Sequence, residues 1–152
     1  KHTASDCEER TAQAKKKGKE IRAAFVKAIP GMSQLLTDIA AAAKRGYVKA
    51  IDGRKIILES PHKALNYLLQ SSAGVISRRW LLINQETIKE TNLCCSQLAY
   101  IHDELQFECD PAHATALSAS LVQSAEAAGE YYSLRLPIGA EAKQGRDWSE
   151  VH

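Results

Sequence analysis

The chain has 152 residues, 45% of them hydrophobic, which suffices for one ordinary globular domain and leaves little room for two. Its 20 Lys and Arg against 18 Asp and Glu give a formal charge of only +2, so any nucleic-acid role must be argued from where the basic residues sit. They crowd the first segment as Lys15, Lys16, Lys17, Lys19, Arg22 and Lys27, whereas residues 111–128 carry no Lys or Arg.

Residues 7–28 are rich in Glu, Ala, Lys and Arg without Pro, and Ile21, Phe25 and Ala28 fall at helical spacing, which predicts a first helix closed by Pro30-Gly31. A second is expected from about Met32 to Lys44, with Leu35, Leu36, Ile39 and Ala43 on one face and Gly46 as its stop. Two strands, Tyr47–Ile51 and Lys55–Leu58, flank the hairpin signal Asp52-Gly53. Ser60-Pro61 reads as an N-cap with Pro at the first helical position, opening a long helix to around Lys89. Leu65, Leu68, Leu69, Ala73, Ile76, Trp80 and Ile83 form its expected core stripe. A hairpin follows at about 97–109, then a helix opened by Asp110-Pro111 and running to about Ala128. Tyr132 to Ile138 alternates like a final strand. The fold class is α+β, a small, mainly antiparallel sheet packed with long helices.

No apolar run approaches the roughly 20 residues of a membrane span, and no charged-then-apolar leader begins the chain. Cys7, Cys94, Cys95 and Cys109 lack the spacing of a metal site and are read as reduced thiols of a cytoplasmic protein with no membrane partner. The opening Lys1, in place of Met, suits a processed, spliced or trimmed product.

The hairpin at 97–109 carries the chemistry. Leu98 and Tyr100 before the turn, and Leu105, Phe107 and Cys109 after it, have the period of half-buried strands, with His102, Asp103 and Glu104 at the tip. Successive strand side chains point to opposite faces, so Asp103 and Glu104 do not aim at one point; Asp103 is the better metal ligand, with Glu104 beside it. A charged turn in water has the same local pattern. On the long helix, His62, Asn66 and Gln70 recur every four residues as a polar stripe. Neutral amides suit the DNA minor groove, where every base pair offers an N3 or O2 acceptor; an ordinary polar helix face would also read this way. Arg54 and Lys55, after Gly53, are phosphate-binding candidates or simply residues facing water beyond a turn.

Taken together, Asp52-Gly53-Arg54-Lys55, the run Ser60-Pro61-His62-Lys63-Ala64-Leu65-Asn66-Tyr67-Leu68-Leu69-Gln70-Ser71, His102-Asp103-Glu104, and the closing Trp148 and His152 resemble a family A DNA polymerase, above all the replicative enzymes of podophages. The resemblance covers nearly the whole chain. It implies that residues 1–45 are a helical segment derived from the fingers and that 46–152 belong to the palm, the two forming one compact unit. It implies that Asp103 is the second of the two catalytic metal aspartates, Glu104 the carboxylate near the metals and primer end, and His102 a contact to the primer backbone. Asn66 and Gln70 resemble the amides that track the minor groove, with His62 one turn earlier, while Arg54 with Lys55 forms the block that meets DNA. The implied cofactors are two Mg²⁺ ions in a two-metal nucleotidyl transfer, and the implied partners are primer-template DNA and dNTPs.

The family's first metal aspartate and the fingers helix that binds dNTP do not occur in this sequence, nor do a thumb or an exonuclease domain. The resemblance therefore implies an N-terminal polymerase portion as a further partner, without which the chain is inactive. Two other readings stay open. A non-catalytic DNA-binding module needs only the basic first segment and the amide stripe. A metal-dependent nuclease would need further acidic ligands, for which Glu59 and Asp110 are the candidates.

Overall fold

The structure is a computed structural model that describes residues 4–151, with side chains from residue 8 onward; the Cys7 side chain and His152 lie outside the described residues. Among the described residues five α-helices and four strands follow one another: α1 (Ala4–Ala28), α2 (Met32–Lys44), β1 (Tyr47–Lys49), β2 (Lys55–Ile57), α3 (Ala64–Thr91), β3 (Cys95–Ile101), β4 (Glu104–Cys109), α4 (Ala114–Tyr131) and the short α5 (Trp148–Val151). Single 3₁₀ turns, Pro61–Lys63 and Pro111–His113, lead into α3 and α4. Both open on Pro, whose fixed φ suits a helical start and whose missing N–H costs nothing there. Asp110 also caps its turn, accepting from the Ala112 amide at 2.8 Å.

The residues divide into two compact units. Residues 1–48 and 56–65 form one, and residues 49–55 and 66–152 the other. In the first, α1 and α2 are joined by a tight turn in which Gly31 takes φ +82°, and Ile39, Ala43, Val48 and Ala64 are buried. Ile21 and Phe25, though helically spaced, stand exposed. The second unit buries Val75, Leu105, Leu117, Ala125 and Ala128. There α3 and α4 are tied by polar contacts: the Trp80 indole donates to the Leu121 carbonyl at 2.8 Å, and the Ser120 hydroxyl donates to Asn84 Oδ1 at 2.9 Å. Asn84 is fully buried, and its Nδ2 has no hydrogen-bond partner.

Helices end on residues in the left-handed region. Gly46 (φ +77°), Asn92 (+52°) and Ser133 (+53°) follow α2, α3 and α4. After α4, the Ser133 amide donates to the Glu130 carbonyl at 2.8 Å and the Leu134 amide to that of Gly129 at 3.1 Å, the paired bonds of a Schellman motif.

Several expectations are corrected. The described strands form two separate two-stranded sheets rather than one, β1 with β2 and β3 with β4. The expected strand from Tyr132 to Ile138 does not form; α4 continues to Tyr131 and the chain then turns through the Schellman motif. Strands β1 and β2 are only three residues each, because the loop closes through Ala50, whose amide donates to the Arg54 carbonyl at 2.9 Å, instead of through a two-residue Asp52-Gly53 turn. On α3, Leu69 and Ala73 are exposed, while Val75 and Asn84 take buried positions.

Candidate catalytic hairpin and nucleic-acid interface

The β3–β4 hairpin is antiparallel, with Ile101 opposite Glu104, Tyr100 opposite Leu105, Ala99 opposite Gln106, and Gln97 opposite Phe107. Between Gln97 and Ala99 the register slips, so Leu98 is a β-bulge residue left out of the pairing, 61% exposed. The slip sets Tyr100 on the same face as Leu105, Phe107 and Cys109, and leaves Glu104 and Gln106 on the other.

Because Ile101 and Glu104 close the ladder, the turn is His102-Asp103 alone, and Glu104 is the first residue of β4 rather than part of the tip. His102 adopts φ +55°, a conformation that His tolerates better than most side chains. His102 and Asp103 are exposed, and Glu104 is half-buried, its carboxylate accepting from the Gln106 side-chain amide. Asp103 is thus held at the end of a two-stranded lever, with its carboxylate open to solvent.

Asn66 and Gln70 lie one turn apart on α3 and are both exposed, as a face able to meet a nucleic acid must be. His62 is exposed in the 3₁₀ turn of the other unit. Arg54 and Lys55 are exposed, Arg54 with 60% of its side chain in solvent. Arg54 is nevertheless engaged: its Nε donates to Asp52 Oδ2 and its amide to Asp52 Oδ1 at 3.2 Å. Desolvation raises the Asp52 carboxyl, but the Arg54 backbone and side-chain hydrogen bonds and the guanidinium charge outweigh it and hold Asp52 below the usual carboxylate range. The sequence reading missed this pair, although opposite charges two residues apart around a glycine turn are its signal.

Among the described residues, no group of three or more His, Cys, Asp or Glu converges on a point where a metal ion could sit. Asp103 has the right donor chemistry for Mg²⁺, a hard cation that takes carboxylate oxygens and keeps several waters. One open carboxylate fits as a share of such a site and not as the whole. Glu59 and Asp110, the ligands a nuclease would need, are otherwise engaged: Glu59 with the Lys63 ammonium at 2.9 Å, and Asp110 in capping.

The model of DNA polymerase family A matches residues 3–150. This chain belongs to DNA polymerase family A. Such enzymes generally use divalent metal ions. The DNA-directed DNA polymerase of Enterobacteria phage T3 is 29% identical over 91% of this chain and 23% of its own length. That of Escherichia phage T7 is 28% identical over the same shares. The POL domain of Pol1 from M. smegmatis, solved in complex with DNA primer-template and dNTP, superposes with a TM-score of 0.66 at 26% identity, covering 75% of this chain and 22% of that one. The chain therefore spans about a quarter of the length of these family A relatives.

Proposed function

We propose that this chain is the C-terminal part of a template-directed DNA polymerase for phage DNA replication, contributing one of two metal-binding aspartates and a set of primer-template contacts. The observation that carries the reading is an open carboxylate, Asp103, at the tip of a two-residue hairpin turn in a chain of family A. Residues 1–45 are assigned to the fingers and 46–152 to the palm.

In this reading Asp103 holds a catalytic Mg²⁺ jointly with an aspartate from another polypeptide. Two such ions, when bound, stabilise the charge of in-line nucleotidyl transfer. The hairpin's part is positional: a two-residue turn leaves Asp103 few conformations, so its carboxylate meets the site with little ordering cost. Glu104, restrained by Gln106, stands beside it, and the His102 imidazole faces the primer backbone. Asn66 and Gln70 donate to minor-groove acceptors of the newly paired primer end, independent of sequence because each base pair offers N3 or O2 there. Arg54, with Lys55, meets backbone phosphate. The partner supplies the first metal aspartate and the fingers helix that binds dNTP. Exposed Tyr100, Ile101 and Leu98 on the hairpin support such a partner, since apolar side chains in this setting gain most by being covered.

The test is primer extension with the purified chain, with a polypeptide carrying the upstream palm strand and fingers helix, and with the two mixed. The reading requires Mg²⁺-dependent templated synthesis from the mixture alone. A mixture that binds primer-template but extends nothing would leave the non-catalytic DNA-binding module as the better account.

A further inference from the structure

At the base of the hairpin, Cys95 stands directly opposite Cys109, so both side chains project from the same face. The next pair outward is Cys94 with Asp110, and there the Asp110 amide donates to the Cys94 carbonyl at 3.3 Å. Directly opposed residues of an antiparallel ladder alternate between hydrogen-bonded and non-hydrogen-bonded pairs. Cys94–Asp110 is of the first kind, so Cys95–Cys109 is of the second, the kind whose α-carbons lie about 4.5 Å apart and whose side chains approach most closely. That separation is inside the range a disulfide spans, roughly 4.4–6.8 Å. Both thiols are half-buried, and Cys94 beside them is exposed.

We infer that Cys95 and Cys109 form a redox-active dithiol site, which a hydroperoxide oxidises to a cross-strand disulfide and low-molecular-weight thiols reduce again. The Cys109 thiolate attacks one peroxide oxygen; the O–O bond breaks, the departing hydroxide takes up a proton, and Cys109 becomes a sulfenic acid. The Cys95 thiolate then attacks that sulfur, forming S–S and expelling hydroxide, which leaves as water. Two thiols are oxidised by two electrons, and hydrogen peroxide is reduced to two waters. Burial, with the neighbouring Cys109 and Cys94 thiolates, pushes the Cys95 thiol up, which makes it the second to react. Reduction runs through attack by an external thiol and a mixed disulfide, releasing that thiol's own disulfide.

The site is a property of the hairpin register and does not depend on the polymerase reading. Its test uses the full chain with Cys7→Ser, leaving the three described thiols, treated with hydrogen peroxide and quenched by alkylation. Trypsin cannot separate these cysteines, because no Lys or Arg lies between Lys89 and Arg135, so cleavage after Glu is used. The expected product is a monomer lighter by two hydrogens, with the fragment ending at Glu104 joined to the one beginning at Cys109. Adding Cys94→Ser leaves the link in place, whereas Cys95→Ser or Cys109→Ser removes it. Pre-alignment on the ladder speeds the second step, closure of the Cys109 sulfenic acid by Cys95, roughly tenfold over the chain in concentrated guanidinium chloride, as loss of dimedone-trappable sulfenic acid records. Since alkylation of the Cys7→Ser chain, with and without Cys94→Ser, reports on the site directly, misfolding of the other variants does not rescue the proposal. A Cys94–Cys95 or Cys94–Cys109 link, intermolecular dimers, sulfinic acid without a link, no reaction, or equal rates in denaturant would each overturn it.

Discussion

Asp103 occupies a turn of two residues, so replacing it removes a carboxylate without disturbing a packed neighbour. We expect Asp103→Ala, assayed in the assembled enzyme, to lower nucleotide incorporation at least about a hundredfold, since a lost metal ligand withdraws several kcal/mol of transition-state stabilisation and each ~1.4 kcal/mol is tenfold. Primer-template affinity, measured by fluorescence anisotropy, should change little, and Glu104→Ala should be milder. Replacing Asn66 and Gln70 with Ala should slow extension from a correctly paired end more than it alters affinity. Arg54→Ala should weaken binding and reduce the slope of log K against log salt by about one, the signature of one phosphate contact. Arg54 is already paired with Asp52, so Asp52→Asn should strengthen DNA binding by releasing it. The Asp52 carboxyl is depressed on folding, so its contribution is present above the unfolded value and is lost as pH falls through the lower folded one. An NMR titration should place its midpoint below the about 3.9 of an unstructured Asp. These residues stand out in the sequence because His102, Asp103 and Glu104 are adjacent and Asn66 and Gln70 share a helical period. The engagement of Arg54 by Asp52 does not, since it depends on a loop conformation that the dipeptide Asp-Gly leaves open.

Helices α2, α3 and α4 are legible to within about three residues at each end, because Pro-first starts and left-handed stops act locally. Gly46 shows this, ending α2 where its residue type predicts. Ser133 shows the limit. It occupies the left-handed stop after α4 without being Gly or Asn, and the alternation from Tyr132 to Ile138 reads as a strand that has no partner among the described residues. We expect Ser133→Gly to stabilise the chain by about 1 kcal/mol, because glycine takes φ +53° without the penalty of a Cβ, as urea unfolding would record. Gly129 behaves in the opposite sense. A Cβ there would lie 2.9 Å from Ile138 Cγ1, so Gly129→Ala should destabilise by roughly 1–2 kcal/mol even though Ala is the better helix former. The buried Asn84 was equally unreadable: its position on α3 falls among apolar residues, and only Ser120 from α4 explains why an amide is there.

Across the molecule, large apolar side chains remain uncovered, among them Leu136 at 78% exposure with Ile57, Ile21 and Phe25. Exposed apolar residues on this scale favour association, so the chain alone should self-associate with rising concentration in analytical ultracentrifugation. A polypeptide carrying the remaining polymerase elements should suppress that association, and only then should incorporation appear. Monodisperse behaviour at all concentrations, or templated synthesis by the chain alone, would contradict this. The α+β class is legible from the order of elements, whereas the division into two units is not. The chain passes between the units three times, and the last passage, between Leu65 and Asn66, falls inside a continuous helical pattern that shows no change in composition.

The bulge at Leu98 makes the hairpin tolerant to one particular genetic accident. The rungs below it, Cys95 to Gln97 against Phe107 to Cys109, and those above it, Ala99 to Ile101 against Glu104 to Gln106, are each in phase, and Leu98 is the residue that separates them. Loss of the Leu98 codon would turn a bulged ladder into a regular one, with every remaining side chain kept on its face. Loss of Ala99 would put Leu98 in its place opposite Gln106, and loss of a codon farther from the bulge would invert part of the strand unless the bulge moved to compensate. Codon-deletion scanning of this strand should therefore find its mildest lesion at position 98.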